Sequence, residues 1–211
     1  MTAKDHQRVS EVAAIVLAAG RSRRMGAFKP LLPFGETTVI ESCITNLREA
    51  EVNEVVVVVG HRANEIEELL QSADVRFARN ADPDSEMSAS IACGVTKISP
   101  LARAIMITPA DHPAVNAETI RAIIEHWKRG ARLVQPEYLG RGGHPIIIDV
   151  DYRQDLRHLH PQRGLRGFFN DHIHEIVRLP LQSPYIARDI DTWEDYLALH
   201  QEIFSRAPRR I

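Results

Sequence analysis

One α/β domain built on a mostly parallel sheet is the fold class this 211-residue chain predicts. Two observations carry it. Short runs of β-branched and other apolar residues recur along the chain, and segments with helical spacing of apolar residues lie between them. Repeated β-α-β units close into a parallel sheet with right-handed crossovers. The length suits one compact domain, which buries about 70% of its unfolded surface.

The elements follow in order. Val12 to Ala18 is an apolar run that ends before Gly20 and reads as a buried strand. Thr38 to Ala50 places apolar residues at 39, 40, 43, 44 and 47, a helical stripe. Val55 to Val59 is five consecutive valines before Gly60, the composition of a strand covered on both faces. Asn64 to Gln71 reads as a helix opened by a cap-like Asn64, and Val75 to Ala78 as a weaker strand. Ala104 to Ile107 is the third strong strand. Ala117 to Arg129 carries Ile120, Ile123, Ile124 and Trp127 on one stripe behind an N-cap at Asn116. Leu133-Val134 is a short strand, and the glycine-rich loop 140–145 leads to a strand at Ile146 to Ile148. A polar stretch covers 151–164. A strand near 174–179 and a helix from Thr192 to about Phe204 finish the chain. The domain is expected over 11–204, with a flexible N-terminal tail at 1–10 and a C-terminal tail at 205–211.

Composition narrows the function. The net charge is −2, which argues against coating a nucleic acid. The longest apolar run, Val12 to Ala19, is too short to span a bilayer, and the first residues hold no apolar signal core. Neither nucleic acid nor membrane is therefore an expected partner. Two cysteines, Cys43 and Cys93, lack any metal-finger or CxxC spacing, and they read as small buried residues on helices. A cytoplasmic setting is expected. Two His-x-His pairs, His158/His160 and His172/His174, could each share a strand face, but no pattern joins them.

Ligands of such sheets sit at the carboxyl ends of strands, here just after 18, 59, 78, 107 and 135. The first of these places is the richest. Gly20 lets a ligand approach the backbone, Ser22 offers a hydroxyl, and Arg21, Arg23, Arg24 and Lys29 put four cations in nine residues. Exposed amides with cations suit a polyphosphate. The dinucleotide GxGxxG is absent here, and the Gly-Lys-Ser/Thr of a P-loop is absent too. On the residues alone, a basic surface turn remains the other reading.

Leu17-Ala-Ala-Gly-Arg-Ser-Arg-Arg-Met-Gly-Ala-Phe-Lys29 resembles LAAGxSxRMGxxK, the loop that marks nucleotidyltransferases with a glycosyltransferase-A-like fold. Within them it is most similar to the molybdenum cofactor cytidylyltransferase and guanylyltransferase group. The resemblance covers roughly 12–200. It implies a single Rossmann-like, three-layer domain and transfer of a nucleotidyl group from a nucleoside triphosphate, with release of pyrophosphate. It also implies that Leu17, Ala18, Ala19, Gly20 and Ser22 line the nucleotide, while Arg24 and Lys29 hold the phosphates and serve catalysis. Relatives that use CTP tend to read Leu-Ala-Ala-Gly, as here, so CTP is the expected nucleotide. UTP and dTTP users share that tetrapeptide.

Asp111, in Thr108-Pro-Ala-Asp-His-Pro113, follows the third strong strand, where a hard oxygen ligand suits Mg²⁺. It also fits a helix-capping aspartate. Asp191 opens the last helix beside Thr192, again a capping position. The resemblance makes Asp111 and Asp191, 80 positions apart, the two ligands of Mg²⁺ (or Mn²⁺), with Asp111 catalytic.

Two further segments extend the likeness. Glu86-Met-Ser-Ala-Ser-Ile-Ala-Cys-Gly94 resembles Gly-Met-Ser-x-Ser, which assigns Met87, Ser88 and Ser90 to the nucleotide; Glu86 stands where the family has glycine. A capped helix start at Ser85 or Ser88 is the plainer reading. Gly140-Arg-Gly-Gly-His-Pro145 resembles Gly-x-x-Gly-His-Pro, which assigns Gly143, His144 and Pro145 to the acceptor; His144 also reads as a turn residue. Gln162 falls where relatives often carry an acid. The implied acceptor bears a phosphate, with molybdopterin first and a sugar or polyol phosphate second. A protein that delivers the acceptor or receives the product is an expected partner. A non-catalytic nucleotide sensor on the same fold is the reading from another class, and an NAD-dependent oxidoreductase is a third.

Overall fold

The computed structural model describes residues 11–22, 24–82 and 84–209. The tail expected at 1–10, Arg23 and the last two residues lie outside these ranges.

Strand β1 (Val12–Ala18) is followed by a small hairpin, β2 (Pro33–Phe34) and β3 (Thr37–Thr38), and then α1 (Val39–Glu49). Next come β4 (Glu54–Val59), α2 (Ala63–Leu69), β5 (Arg76–Arg79), α3 (Met87–Val95), β6 (Ala104–Pro109) and α4 (Ala117–Lys128). The chain closes with β7 (Leu133–Tyr138), β8 (Arg141–Gly142), β9 (Ile146–Asp149), α5 (Arg153–Arg157), α6 (Gly164–Asp171), β10 (Ile176–Pro180) and α7 (Trp193–Phe204). The main sheet runs β10-β7-β9-β6-β1-β4-β5, with β8 also on β7. β1 pairs in parallel with both β4 and β6, and β4 with β5. β9 runs against its neighbours β6 and β7, and β8 runs against β7.

The strand pleat sorts β1 into two faces. Val12, Ala14 and Val16 pack under α1 and α4, whereas Ala13 and Ile15 pack under α3, α5 and α6. Both faces are dry, which accounts for a strand without polar alternation and for the three layers. Gly94 lets α3 lie close on the sheet, since a Cβ there would meet Ile15 Cγ2 at 2.8 Å and Val58 Cγ2 at 2.9 Å. A third cluster joins Met25, Phe34, Ile190, Tyr196 and Leu199, so the loop after β1 is packed against the last helix.

Most expected elements stand within a few residues of their expected ends. Thr38 and Thr192 each cap a helix through a reciprocal box, with Glu41 and Asp195, and Asn116 caps α4. Three expectations need correction. Asn64 does not cap α2. Arg62 holds that place in a left-handed conformation, and Asn64 accepts from Arg79 instead. The polar stretch and its continuation form α5 and α6, which bury Leu156, Phe168 and Phe169. Cys93 is half-buried, unlike Cys43. The histidine pairs lie on turns; His158, His160 and His172 border one hollow, yet no metal-holding group of three ligands forms among the described residues. The C-terminal segment is exposed but tethered, because Arg206 and Arg209 both pair with Glu36. No described helix is long and apolar enough to cross a membrane.

Candidate active site

The chain leaves the carboxyl end of β1 and reverses at Ser22 (φ 50°) and Gly26 (φ 69°). Two hydrogen bonds close the loop. The Met25 N–H donates to the Ser22 carbonyl at 3.2 Å, and the Lys29 N–H donates to Ser22 Oγ at 3.2 Å. Met25 is buried in the third cluster, so it anchors the loop rather than facing a ligand.

A cavity of about 260 Å³ opens at this sheet edge. The first loop contributes Leu17 to Gly20, Ser22 and Lys29; the end of β6 contributes Pro109 to Asp111; the β5–α3 segment contributes Asn80, Asp82, Ser85, Met87 and Ser90. Asn80 organises that last segment, donating from Nδ2 to Ser85 Oγ (2.8 Å) and Ser90 Oγ (2.9 Å). Its Oδ1 accepts from the Asp82 N–H at 3.1 Å. Arg21 bridges the two loops by its pair with Asp84 at 2.8 Å.

The acidic residues converge on one ammonium. Lys29 Nζ lies 2.7 Å from Asp191 Oδ1 and 3.3 Å from Asp111 Oδ2. The exposed Arg24 guanidinium pairs with the other oxygen of Asp191, and His112 Nδ1 lies 3.1 Å from Asp111 Oδ1. Burial opposes the Lys29 charge, but hydrogen bonds and charges from Asp191 and Asp111 outweigh it and raise its pKa. Burial likewise opposes the Asp111 charge, and His112 and Lys29 outweigh it, so its pKa falls. The Lys29 hydrogen bond is the main cause of the lowered Asp191 pKa. Because Thr192 caps α7 and Asn116 caps α4, neither aspartate is used as a cap. Two carboxylates around one cation form a hard-oxygen set that fits Mg²⁺ or Mn²⁺ completed by phosphate oxygens.

A second cavity, about 650 Å³, shares Met87 with the first. Ser88 and Glu86 face it from the start of α3; His144, Gly142 and Ile146 line it from the chain after β7; Gln162, Arg166 and Arg178 line it from beyond. Gly143 and Pro145 are buried and lie outside that lining. A Cβ on Gly143 would lie 2.2 Å from the Ile186 carbonyl oxygen, so this glycine serves packing. Of the three residues expected at the acceptor, only His144 faces the second cavity. Its ring meets His112 edge-on at 5.6 Å, its Nδ1 has no partner among the described residues, and burial lowers its pKa to about 4.

Comparison with known proteins decides the family. The MobA-like NTP transferase domain matches residues 14–176, which takes in the first loop, Asp111, the first cavity and all of the second cavity's lining but Arg178. The chain belongs to that family, and it is a nucleotidyltransferase. A molybdenum cofactor cytidylyltransferase from Escherichia coli K12 is 25% identical over 192 residues, covering 90% of this chain and 95% of that protein. A nicotine blue oxidoreductase from Paenarthrobacter nicotinovorans is also 25% identical, covering 89% of this chain and 96% of its own. The crystal structure of Rv0371c from Mycobacterium tuberculosis H37Rv superposes with a TM-score of 0.81 at 26% identity, covering 91% of this chain and 98% of that one. The same protein solved in complex with manganese gives a TM-score of 0.75.

Asn80, Asp82 and Ser85 escaped the reading of the sequence. Their signal was positional, since they follow the strand that ends near residue 78.

Proposed function

We propose that this MobA-like transferase moves a cytidylyl group from CTP to a phosphate-bearing acceptor, with molybdopterin as first choice. The observation that carries the reading is the meeting of Lys29, Asp111 and Asp191 beside the first-loop cavity. An acceptor phosphate oxygen bonds to the α-phosphorus of the nucleotide, the bond from that phosphorus to the bridging oxygen breaks, and pyrophosphate leaves with the electron pair. No protein nucleophile is required, so the chain's work is positioning and charge neutralisation. Leu17 to Gly20 and Ser22 receive the nucleotide, with Met87 and Ser90 across the cavity. Lys29 and Arg24 offset charge on the leaving pyrophosphate. Asp111 and Asp191 would hold Mg²⁺ or Mn²⁺, which supplies positive charge at the phosphates when bound. His144 faces the acceptor from the second cavity, and Ser88, expected at the nucleotide, lines that cavity instead. Met87 borders both cavities and marks where the two substrates would meet.

One observation favours a sugar or polyol phosphate as acceptor. Glu86 and Gln162, the two departures from the cytidylyltransferase pattern, both line the acceptor-side cavity. The oxidoreductase reading has a relative of that name in its favour and the missing glycine fingerprint against it.

Thermal unfolding with CTP, GTP, UTP, ATP, dTTP and NADH, each with and without Mg²⁺, separates these readings. A ligand at one hundred times its Kd adds about 2.7 kcal/mol. A Mg²⁺-dependent shift selective for CTP supports the cytidylyl reading and sends molybdopterin to the next assay. A shift with UTP or dTTP moves the acceptor to sugar phosphates, and a shift with NADH alone overturns the proposal.

A further inference from the structure

Every oxygen of the two candidate metal ligands already has a protein partner. Asp191 gives Oδ1 to Lys29 at 2.7 Å and Oδ2 to Arg24. Asp111 gives Oδ2 to Lys29 at 3.3 Å and Oδ1 to His112 at 3.1 Å. A metal approaching these carboxylates competes with the two cations that now hold three of their four oxygens. The two cations so occupied are also those placed to meet the triphosphate. Arg24 is largely exposed, and Lys29 lines the nucleotide cavity on a flexible four-carbon stem, so both can change partner without a change in the backbone.

We propose that Lys29 and Arg24 are internal counter-ions exchanged on substrate binding. In the free protein they sit on Asp111 and Asp191; when metal and triphosphate arrive together, the carboxylates pass to the metal and the cations pass to the phosphates. The proposal rests on the nucleotidyltransferase reading of this site and adds a rule to it. A bare divalent ion must displace an ammonium and a guanidinium without bringing an anion to receive them. A metal that arrives with the triphosphate brings the anion that receives them. Metal and nucleotide therefore assist one another, and the coupling is reciprocal. A metal-bound nucleotide already binds as a unit in solution, so cooperativity alone does not test the exchange. Metal binding without nucleotide does.

The experiment titrates Mn²⁺ alone, followed by electron paramagnetic resonance of the free ion, into the full-length protein and three variants. Lys29→Met and Arg24→Met should each bind Mn²⁺ about fivefold or more tightly than the parent, the low end of measured coupling between sites. Asp111→Asn should bind it more weakly. If Asp111→Asn weakens Mn²⁺ binding and neither methionine variant strengthens it, the exchange is overturned and the metal site stands. If Asp111→Asn leaves Mn²⁺ binding unchanged, the metal site fails and the exchange with it. Should Lys29→Met not fold, Arg24→Met decides, because its side chain is largely in solvent.

Discussion

His144 ties the acceptor-side cavity to the stability of the fold, and the tie can be measured. Burial holds its imidazole neutral down to about pH 4, against 6.5 for an exposed histidine, and Nδ1 has no acceptor to reward a second proton. Below pH 6.5 the unfolded chain takes up that proton while the folded chain does not. The unfolded state then binds more protons, so stability falls as the pH falls. It is fully present above pH 6.5 and is lost progressively toward pH 4. Each pH unit in that window costs up to about 1.4 kcal/mol. Between pH 7.5 and pH 5 the loss from this one group is about 2 kcal/mol. The perturbation is His144→Phe, which keeps an aromatic ring beside His112 and removes the proton. Urea unfolding of both proteins at pH 7.5, 6.5, 5.5 and 5.0 reads the effect, provided the m-value is constant. Groups that titrate in both proteins cancel in the difference. The parent should lose about 2 kcal/mol more than the variant across the window. Parallel curves would refute the reasoning, since they would mean that His144 is protonated in the folded chain as readily as in the unfolded one.

Asp111→Ala should abolish nucleotidyl transfer while circular dichroism and the unfolding midpoint report an intact fold; near-parent turnover would remove Asp111 from the site. Lys29→Ala should slow transfer by about two to three orders of magnitude, the scale of one lost electrostatic contact, and an unchanged rate in a pyrophosphate-release assay would exclude it from the phosphates. Thr192→Ala opens the capping box of α7 and should cost about 1 kcal/mol, read as a lower midpoint in urea. Burial lifts the Cys43 thiol to about 12 and also raises Cys93. An aromatic disulfide reagent at pH 8 should therefore label neither quickly in the folded protein and both in denaturant; rapid native labelling of Cys43 would contradict its burial.

What the sequence disclosed is uneven, for physical reasons. β1, β4 and β6 were legible because both their faces are dry, so every residue in the run is apolar. The first loop was legible through its resemblance to a known loop, since its glycines and cations alone also fit a basic surface turn. Helix α6 was not, since it spans eight residues and buries only Gly167, Phe168 and Phe169, too short a stripe for periodicity to register. β7 runs past the expected Leu133-Val134 to Tyr138, and the Pro136 carbonyl within it accepts from the Gly143 N–H at 2.8 Å. The two aspartates show a subtler limit. Each sits beside a helix start, and residue type alone does not say whether it caps the helix or faces the cavity. Thr192 and Asn116 settle that by capping instead. Gly143 shows the opposite error, a loop glycine expected to face a ligand that is required by the backbone of Ile186.

The packing of Met25 against Tyr196 and Leu199 has a consequence for how this protein comes into being. Arg24 and Asp191 are 167 positions apart, and Lys29 and Asp191 are 162 apart. The first loop is made before the segment around 190–199, with only Leu32, Phe34 and Val39 of its cluster close behind it. It acquires its remaining partners only when the residues around 190–199 have left the exit tunnel. A nascent chain stalled before that point would carry much of the sheet and lack the carboxylate that Lys29 and Arg24 share.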